Sequence, residues 1–273
     1  MNARPWTRFY ATNTPFDLPP LPENHLARFA RAHAALHGSR PSFSTVLPGG
    51  QTGTLSFAQL DAQSDAFAAF LREDLGLQAG DRVALQLPNC LAYPIAAFGV
   101  FKAGLVLVNT NPLYTPTEMA YQFKDSGAKA LVILDLFADK LESALPGTNV
   151  AHVVTASLTE GFPALSGALV RFVLKHVQHR VPTCRHPHRA FNTVLALGHA
   201  RLAQGLDPKT YTSNLGPDAL ACLQYTGGTT GVSKGTMLSH GNLLSNVEQA
   251  WLFCRHRIIP EQEVVLAPLP LYH

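Results

Sequence analysis

Charge is scarce in this sequence. Only 14% of the residues are Asp, Glu, Lys or Arg, and they sum to +3. So small a surplus provides no electrostatic footprint for a nucleic-acid backbone. Cysteine is scarce too: Cys90, Cys184, Cys222 and Cys254 contain no Cys-x-x-Cys pair. That pattern excludes a zinc knuckle or a disulfide scaffold and fits a reducing cytoplasm. There is no unbroken apolar run long enough for a membrane span. The longest apolar region, residues 90–108, is interrupted by Pro94, Gly99, Lys102 and Gly104, as expected of a helix followed by a buried strand. The N-terminal MNARPWTRFYATNTPFDLPP lacks the apolar centre of a signal peptide. A soluble cytoplasmic protein, at most peripheral on a membrane, is the expectation.

What the chain does have is apolar material, 47% of 273 residues, enough for one large domain or two smaller ones. Helix and strand signals take turns along it. Residues 1–24 read as an irregular, proline-rich arm. Ser56 and Gln59 form a capping box opening SFAQLDAQSDAFAAFLRE, and RVALQLP reads as a buried strand after the turn at Ala79-Gly80-Asp81. A helix over Leu91 to Ala103 and the strand LVLVN follow. Thr115, Pro116 and Glu118 open another helix, expected to end near Gly127. Then come the strand KALVIL, a helix around Leu136 to Leu145 and the strand AHVVTA. Such alternation predicts an α/β fold of mostly parallel strands flanked by helices.

One stretch lacks acid altogether: no Asp or Glu occurs between Glu160 and Asp207. Inside this segment, 161–206, the run LVRFVLKHVQHRV has helical period. Leu169, Phe172, Val173, Val177 and Val181 share one side, and Arg171, Lys175, Gln178 and His179 lie opposite. Two interpretations stay open: a surface helix with a solvated basic face, or a helix lying on an anionic membrane. His176, His179, Cys184, His186 and His188 supply metal-ligand chemistry, but their spacing fits no standard zinc pattern, and five nearby basic side chains would repel a cation. No metal ligand is assigned.

Tyr225 to Thr236 reads YTGGTTGVSKGT. It is not a Walker A sequence, because Ser233 rather than glycine precedes Lys234. Nor do Gly227, Gly228 and Gly231 have dinucleotide-fingerprint spacing. A flexible hairpin loop is the plainer alternative. Ordering so many glycines is entropically costly, however, and becomes useful when a ligand comes close to the backbone. With its hydroxyls, free N–H groups and one ammonium, the stretch suits a polyphosphate.

LQYTGGTTGVSK at Leu223 to Lys234 resembles the AMP-binding signature of acyl-adenylate-forming enzymes. GDRVALQLPN, AAFGVFKAGLVLVNTNPLYTPTEMAYQFKDSGAKALV and the terminal LAPLPLYH resemble the bacterial long-chain fatty-acid–CoA ligase branch. The resemblance implies the N-terminal part of the large domain of an AMP-forming acyl-CoA synthetase over residues 25–273. It also implies ATP, Mg²⁺ and coenzyme A, a long-chain fatty acid as substrate, and a homodimer for the full-length enzyme. Thr226, Thr229, Thr230 and Lys234 would contact the β- and γ-phosphates. Gly227, Gly228, Gly231 and Gly235 would permit close approach, with Tyr225, Val232, Ser233 and Thr236 completing the loop. His273 matches a histidine bordering the acyl pocket. Because the family is roughly twice this length, the groups holding Mg²⁺ and ribose and the small C-terminal domain are expected outside this chain. Alone it is expected to bind nucleotide weakly and to make no acyl-CoA. An aryl- or fatty-acyl–AMP ligase serving another acceptor, or a non-catalytic nucleotide-binding remnant, are the alternatives.

Overall fold

The computed structural model describes residues 4–226, 233–259 and 261–272. Its framework is a seven-stranded sheet ordered β7-β6-β5-β3-β4-β8-β9. The strands are β3 (Arg82–Gln86), β4 (Val106–Asn109), β5 (Ala130–Leu134), β6 (His152–Ala156), β7 (Arg189–Ala190), β8 (Leu220–Thr226) and β9 (Lys234–Ser239). All neighbours pair in parallel except β9, which runs antiparallel to β8. A separate antiparallel hairpin joins β1 (Pro41–Val46) to β2 (Thr52–Ser56).

Period-2 alternation explains why β5 is apolar throughout and β3 is apolar over Val83, Ala84 and Leu85. Val83 and Leu85 of β3, with Ala130, Val132 and Leu134 of β5, enter one core. Ala84, Leu131 and Ile133 enter the other. A strand covered on both faces has no solvent side on which to place polar residues. The first core holds Phe67 of α2 (Phe57–Ala69), Ile95 and Val100 of α3 (Ala92–Lys102), and Phe191 and Val194 of α7 (Phe191–Ala203). The second holds Met119 and Phe123 of α4 (Pro116–Ser126) and Leu141 of α5 (Leu141–Ala144).

Both expected capping boxes form. Ser56 Oγ accepts from the Gln59 N–H while Gln59 Oε1 accepts from Ser56 N–H. Thr115 and Glu118 do the same at α4. Gly127 ends α4 at φ 62°, the left-handed conformation that glycine adopts without penalty. Between α2 and α3 the fully buried Lys102 pairs with Asp61 and, at 3.1 Å, with Asp65. Burial pushes its pKa down and the two carboxylates oppose that.

Some elements differ from expectation. The helix expected around Leu136 to Leu145 is a 3₁₀ stretch, Asp135–Lys140, running into the single α-turn of α5; no side chain caps its start. The basic helix expected through Val181 is shorter. α6 (Ala164–Phe172) passes into a π-turn at Val173–Val177, and His179, at φ 49°, prevents continuation. Among the described elements, the β1–β2 hairpin, α1 (Leu26–His37), β7, α7, β9 and α8 (His240–Cys254) carried no recognised signal. α1 is capped by His25, whose Nδ1 accepts from the Arg28 N–H at 3.3 Å. His25 also stands against His240, whose Nδ1 accepts from the Leu26 N–H at 3.2 Å.

Candidate functional site at the carboxyl edge of the sheet

From β3 the chain crosses through α3 to β4. From β4 it crosses back through α4, on the other face, to β5 beyond β3. That reversal makes the carboxyl ends of β3 and β4 a topological switch point, the usual ligand crevice of open α/β sheets. β8 lies parallel beside β4, so its own carboxyl end opens on the same edge. Gly227, Gly228, Thr229, Thr230, Gly231 and Val232 follow it; they lie outside the described residues, as does His273.

β8 and β9 flank that loop as a paired ribbon. Thr226 pairs with Lys234, Tyr225 with Gly235 and Gln224 with Thr236. Directly opposed residues share a face, so Gln224, Thr226, Lys234 and Thr236 project to one side and Tyr225 to the other. Thr226, Lys234 and Thr236 are exposed. Ser233 Oγ donates to Thr226 O at 2.9 Å, closing the ribbon where the loop leaves it.

α4 braces both flanks: Tyr121 OH donates to Ser233 O at 3.0 Å, and Tyr225 OH donates to Asp125 Oδ2 at 2.5 Å. Burial, and then the Asp125 carboxylate, push the Tyr225 hydroxyl pKa upward, so it stays protonated and donating. Gly235 passes over the Tyr225 ring so closely that a Cβ there would lie 3.0 Å from it. A side chain at this position would have to displace the ring.

A second group of polar residues had no local signature in the sequence. Tyr93 OH lies 2.8 Å from Asn109 Oδ1, and Asn109 Nδ2 donates to Gln224 Oε1 at 2.8 Å. Gln224 Nε2 donates to Tyr272 O at 2.7 Å, and Gln122 Nε2 to Asn109 O at 2.7 Å. These residues belong to α3, α4, β4 and β8, and only the strand order brings them together. Burial raises the thiols of Cys90 and Cys222 nearby to about 12, which makes them poor nucleophiles.

The acid-free segment lies elsewhere; its α7 packs into the main core, and its α6 is turned outward. Leu165, Leu169, Phe172 and Val177 are all more than half exposed, and the buried position of α6 is Gly167. A surface helix that hides its apolar stripe is therefore not what forms. The histidines mostly meet backbone or rings: His188 Nδ1 is 2.8 Å from His186 O, and His176 packs on Phe172. Among the described residues no group of three or more His, Cys, Asp or Glu side chains is arranged for a metal ion.

Comparison with known proteins places these features in context. The family model described as "AMP-binding enzyme" matches residues 30–273. A long-chain-fatty-acid–CoA ligase of Yersinia pestis is 41% identical over 269 residues, which is 98% of this chain and 46% of that protein. One from Haemophilus influenzae is 44% identical over 240 residues, 87% of this chain and 41% of its own length. The chain thus spans about half the length of the curated relatives it matches. Among solved structures, a long-chain-fatty-acid-CoA ligase from Archaeoglobus fulgidus superposes with TM-score 0.69 at 20% identity, covering 94% of this chain and 44% of that one. At that identity the likeness shows the fold.

Proposed function

The chain belongs to the family of AMP-binding enzymes, and from that premise we propose that it serves ATP-dependent activation of a long-chain fatty acid. The observation carrying this is the 41% identity, over 98% of the chain, to a ligase of that name. In the reaction a carboxylate oxygen attacks the α-phosphorus of ATP and the bond to pyrophosphate breaks, leaving an acyl-adenylate. The thiol of coenzyme A then attacks the acyl carbon and AMP departs.

The chemical difficulty is that one anion must approach another. Backbone N–H groups between Tyr225 and Thr236, the hydroxyls of Thr226, Thr229 and Thr230, and the Lys234 ammonium would hold the β- and γ-phosphates and spread their charge. The exposed pair Thr226–Lys234, facing the edge of the switch point, supports that assignment. Tyr121 and Asp125 keep the ribbon rigid while the loop binds. The segment ending in His273 would border the acyl chain. Mg²⁺ would neutralise the polyphosphate; the described residues do not form a donor set for it.

The outward apolar face of α6 supports peripheral contact with an anionic membrane, where a fatty acid is presented. No helix among the described residues is long and apolar enough to cross one. The inner face of the cell membrane and a homodimeric whole enzyme complete the proposal.

Titration with ATP tests the nucleotide half. Lys234→Ala should weaken binding about ten- to a hundredfold through loss of a charge-assisted contact. Unchanged affinity would remove Lys234 from the site. ATP–pyrophosphate exchange across acids of increasing chain length tests the acyl half: exchange with benzoate and none with palmitate would overturn it.

A further inference from the structure

Residues 264–272 contain little that would hold them by burial. Val264, Val265 and Leu266 are almost fully exposed, and so is most of Leu269. Only Leu271 and Tyr272 pack, in part, against the main core. Yet the backbone of this segment is tied down at four residues by side chains of the carboxyl edge. Asn89, in the turn after β3, donates from Nδ2 to Ala267 O at 3.0 Å and to Leu269 O at 2.9 Å. Its Oδ1 accepts from the Leu271 N–H at 2.8 Å. A carboxamide offers two donors and an acceptor, and this one spends all three functions on one irregular segment, replacing a neighbouring strand.

The contact continues inward. The Tyr93 hydroxyl lies 2.8 Å from Leu271 O and 2.8 Å from Asn109 Oδ1, so one proton is shared between two carbonyl oxygens. Asn109 holds Gln224, and Gln224 holds Tyr272 O. Gln224 stands two residues before Thr226, where the glycine-rich loop begins, and Tyr272 immediately precedes His273.

We propose that Asn89 is a positioning residue that docks segment 267–272 on the sheet edge and, with Tyr93, Asn109 and Gln224, links the acyl side of the site to the nucleotide side. Its consequence for substrate rests on the proposed fatty-acid activation; the docking itself does not. Asparagine is required by the donor–acceptor pattern. Aspartate would present oxygen to the Ala267 and Leu269 carbonyls, and alanine would present nothing.

Hydrogen exchange read by mass spectrometry tests the docking. In Asn89→Ala and in Asn89→Asp, exchange at Leu271 should accelerate about tenfold or more, with a smaller increase in Tyr93→Phe. Amides of β5 should keep their wild-type protection. Unchanged exchange at Leu271, or an equal loss in β5, would overturn the proposal. With the remaining half of a full-length relative supplied as a second polypeptide, Asn89→Ala should raise KM for the fatty acid in acyl-adenylate formation while KM for ATP holds; the reverse split would also overturn the proposal. Absence of acyl-adenylate formation by the wild-type protein in that reconstituted assay would refute the proposed function and leave the exchange result to decide the docking.

Discussion

α4 and α6 are both amphipathic helices of similar length, yet they face opposite ways. α4 has a capping box at one end, a left-handed glycine at the other, and Met119 and Phe123 fully buried. α6 has no side-chain cap, turns Leu165, Leu169 and Phe172 to solvent, and buries only Gly167. Periodicity says that a helix has two faces; it does not say which one the protein core takes. The difference teaches that α4 contributes its apolar face to the core of this chain, whereas α6 leaves its apolar face exposed.

The sharpest way to break that comparison is truncation of one aromatic on each helix. Phe123→Ala should cost about 3–5 kcal/mol, the range for emptying a buried aromatic site. Phe172→Ala should stay within about 0.5 kcal/mol. Denaturant melts of the two variants measure both, and similar losses would mean that α6 is a stability element after all.

A pH series sharpens the contrast from the α6 side. Burial lifts the Asp135 carboxyl to about 6; Glu160 adds to this and Arg171 of α6 opposes it. The folded state therefore holds this proton more firmly than the unfolded chain does. Its contribution to stability is full below the ordinary carboxylate pKa and is lost as pH rises through about 6. Asp135→Asn should raise Tm above pH 7, with the gain vanishing near pH 4. A gain that is equal at both pH values would show that the buried charge is not its source.

The smallest expected change in stability carries the largest change in binding. Leu169→Ser combined with Phe172→Ser should leave Tm nearly unaltered but abolish flotation with phosphatidylglycerol vesicles. Arg171→Glu with Lys175→Glu should weaken flotation more at low salt than at high salt, because exposed charges are screened. Equal flotation of wild type with neutral vesicles would argue against the electrostatic part.

Much of the frame was legible because its signals are local. Ser56 with Gln59, Thr115 with Glu118, and Gly127 each announce a helix end within four residues, and the doubly buried β3 and β5 stand out by continuous apolarity. α1 escaped because histidine caps it. β9 escaped because KGTMLS, with Lys234, Thr236 and Met237 exposed, lacks the alternation of a half-buried strand. At the candidate site, Tyr225 and Lys234 belong to the paired strands that flank the glycine-rich stretch, whose residues 227–232 lie outside the described residues. Asn89, Tyr93, Asn109 and Gln224 were not legible, since each is an ordinary polar residue until the strand order assembles them. The outward turn of α6 was likewise not legible, since its one buried position is Gly167, against Phe162 and Thr159.

The pairing of β8 with β4 has a consequence for timing. Asn109 and Gln224, joined side by side in the sheet, are 115 residues apart in the chain. During synthesis at roughly 5–20 residues per second, β4 must wait on the order of 10 s for its neighbour. Until then one edge of the central sheet has no partner, and the candidate nucleotide site does not exist. Folding of this protein thus has a built-in interval in which β4 is open to wrong partners, and a chaperone that shields that edge would act on the same strand that later supports the loop.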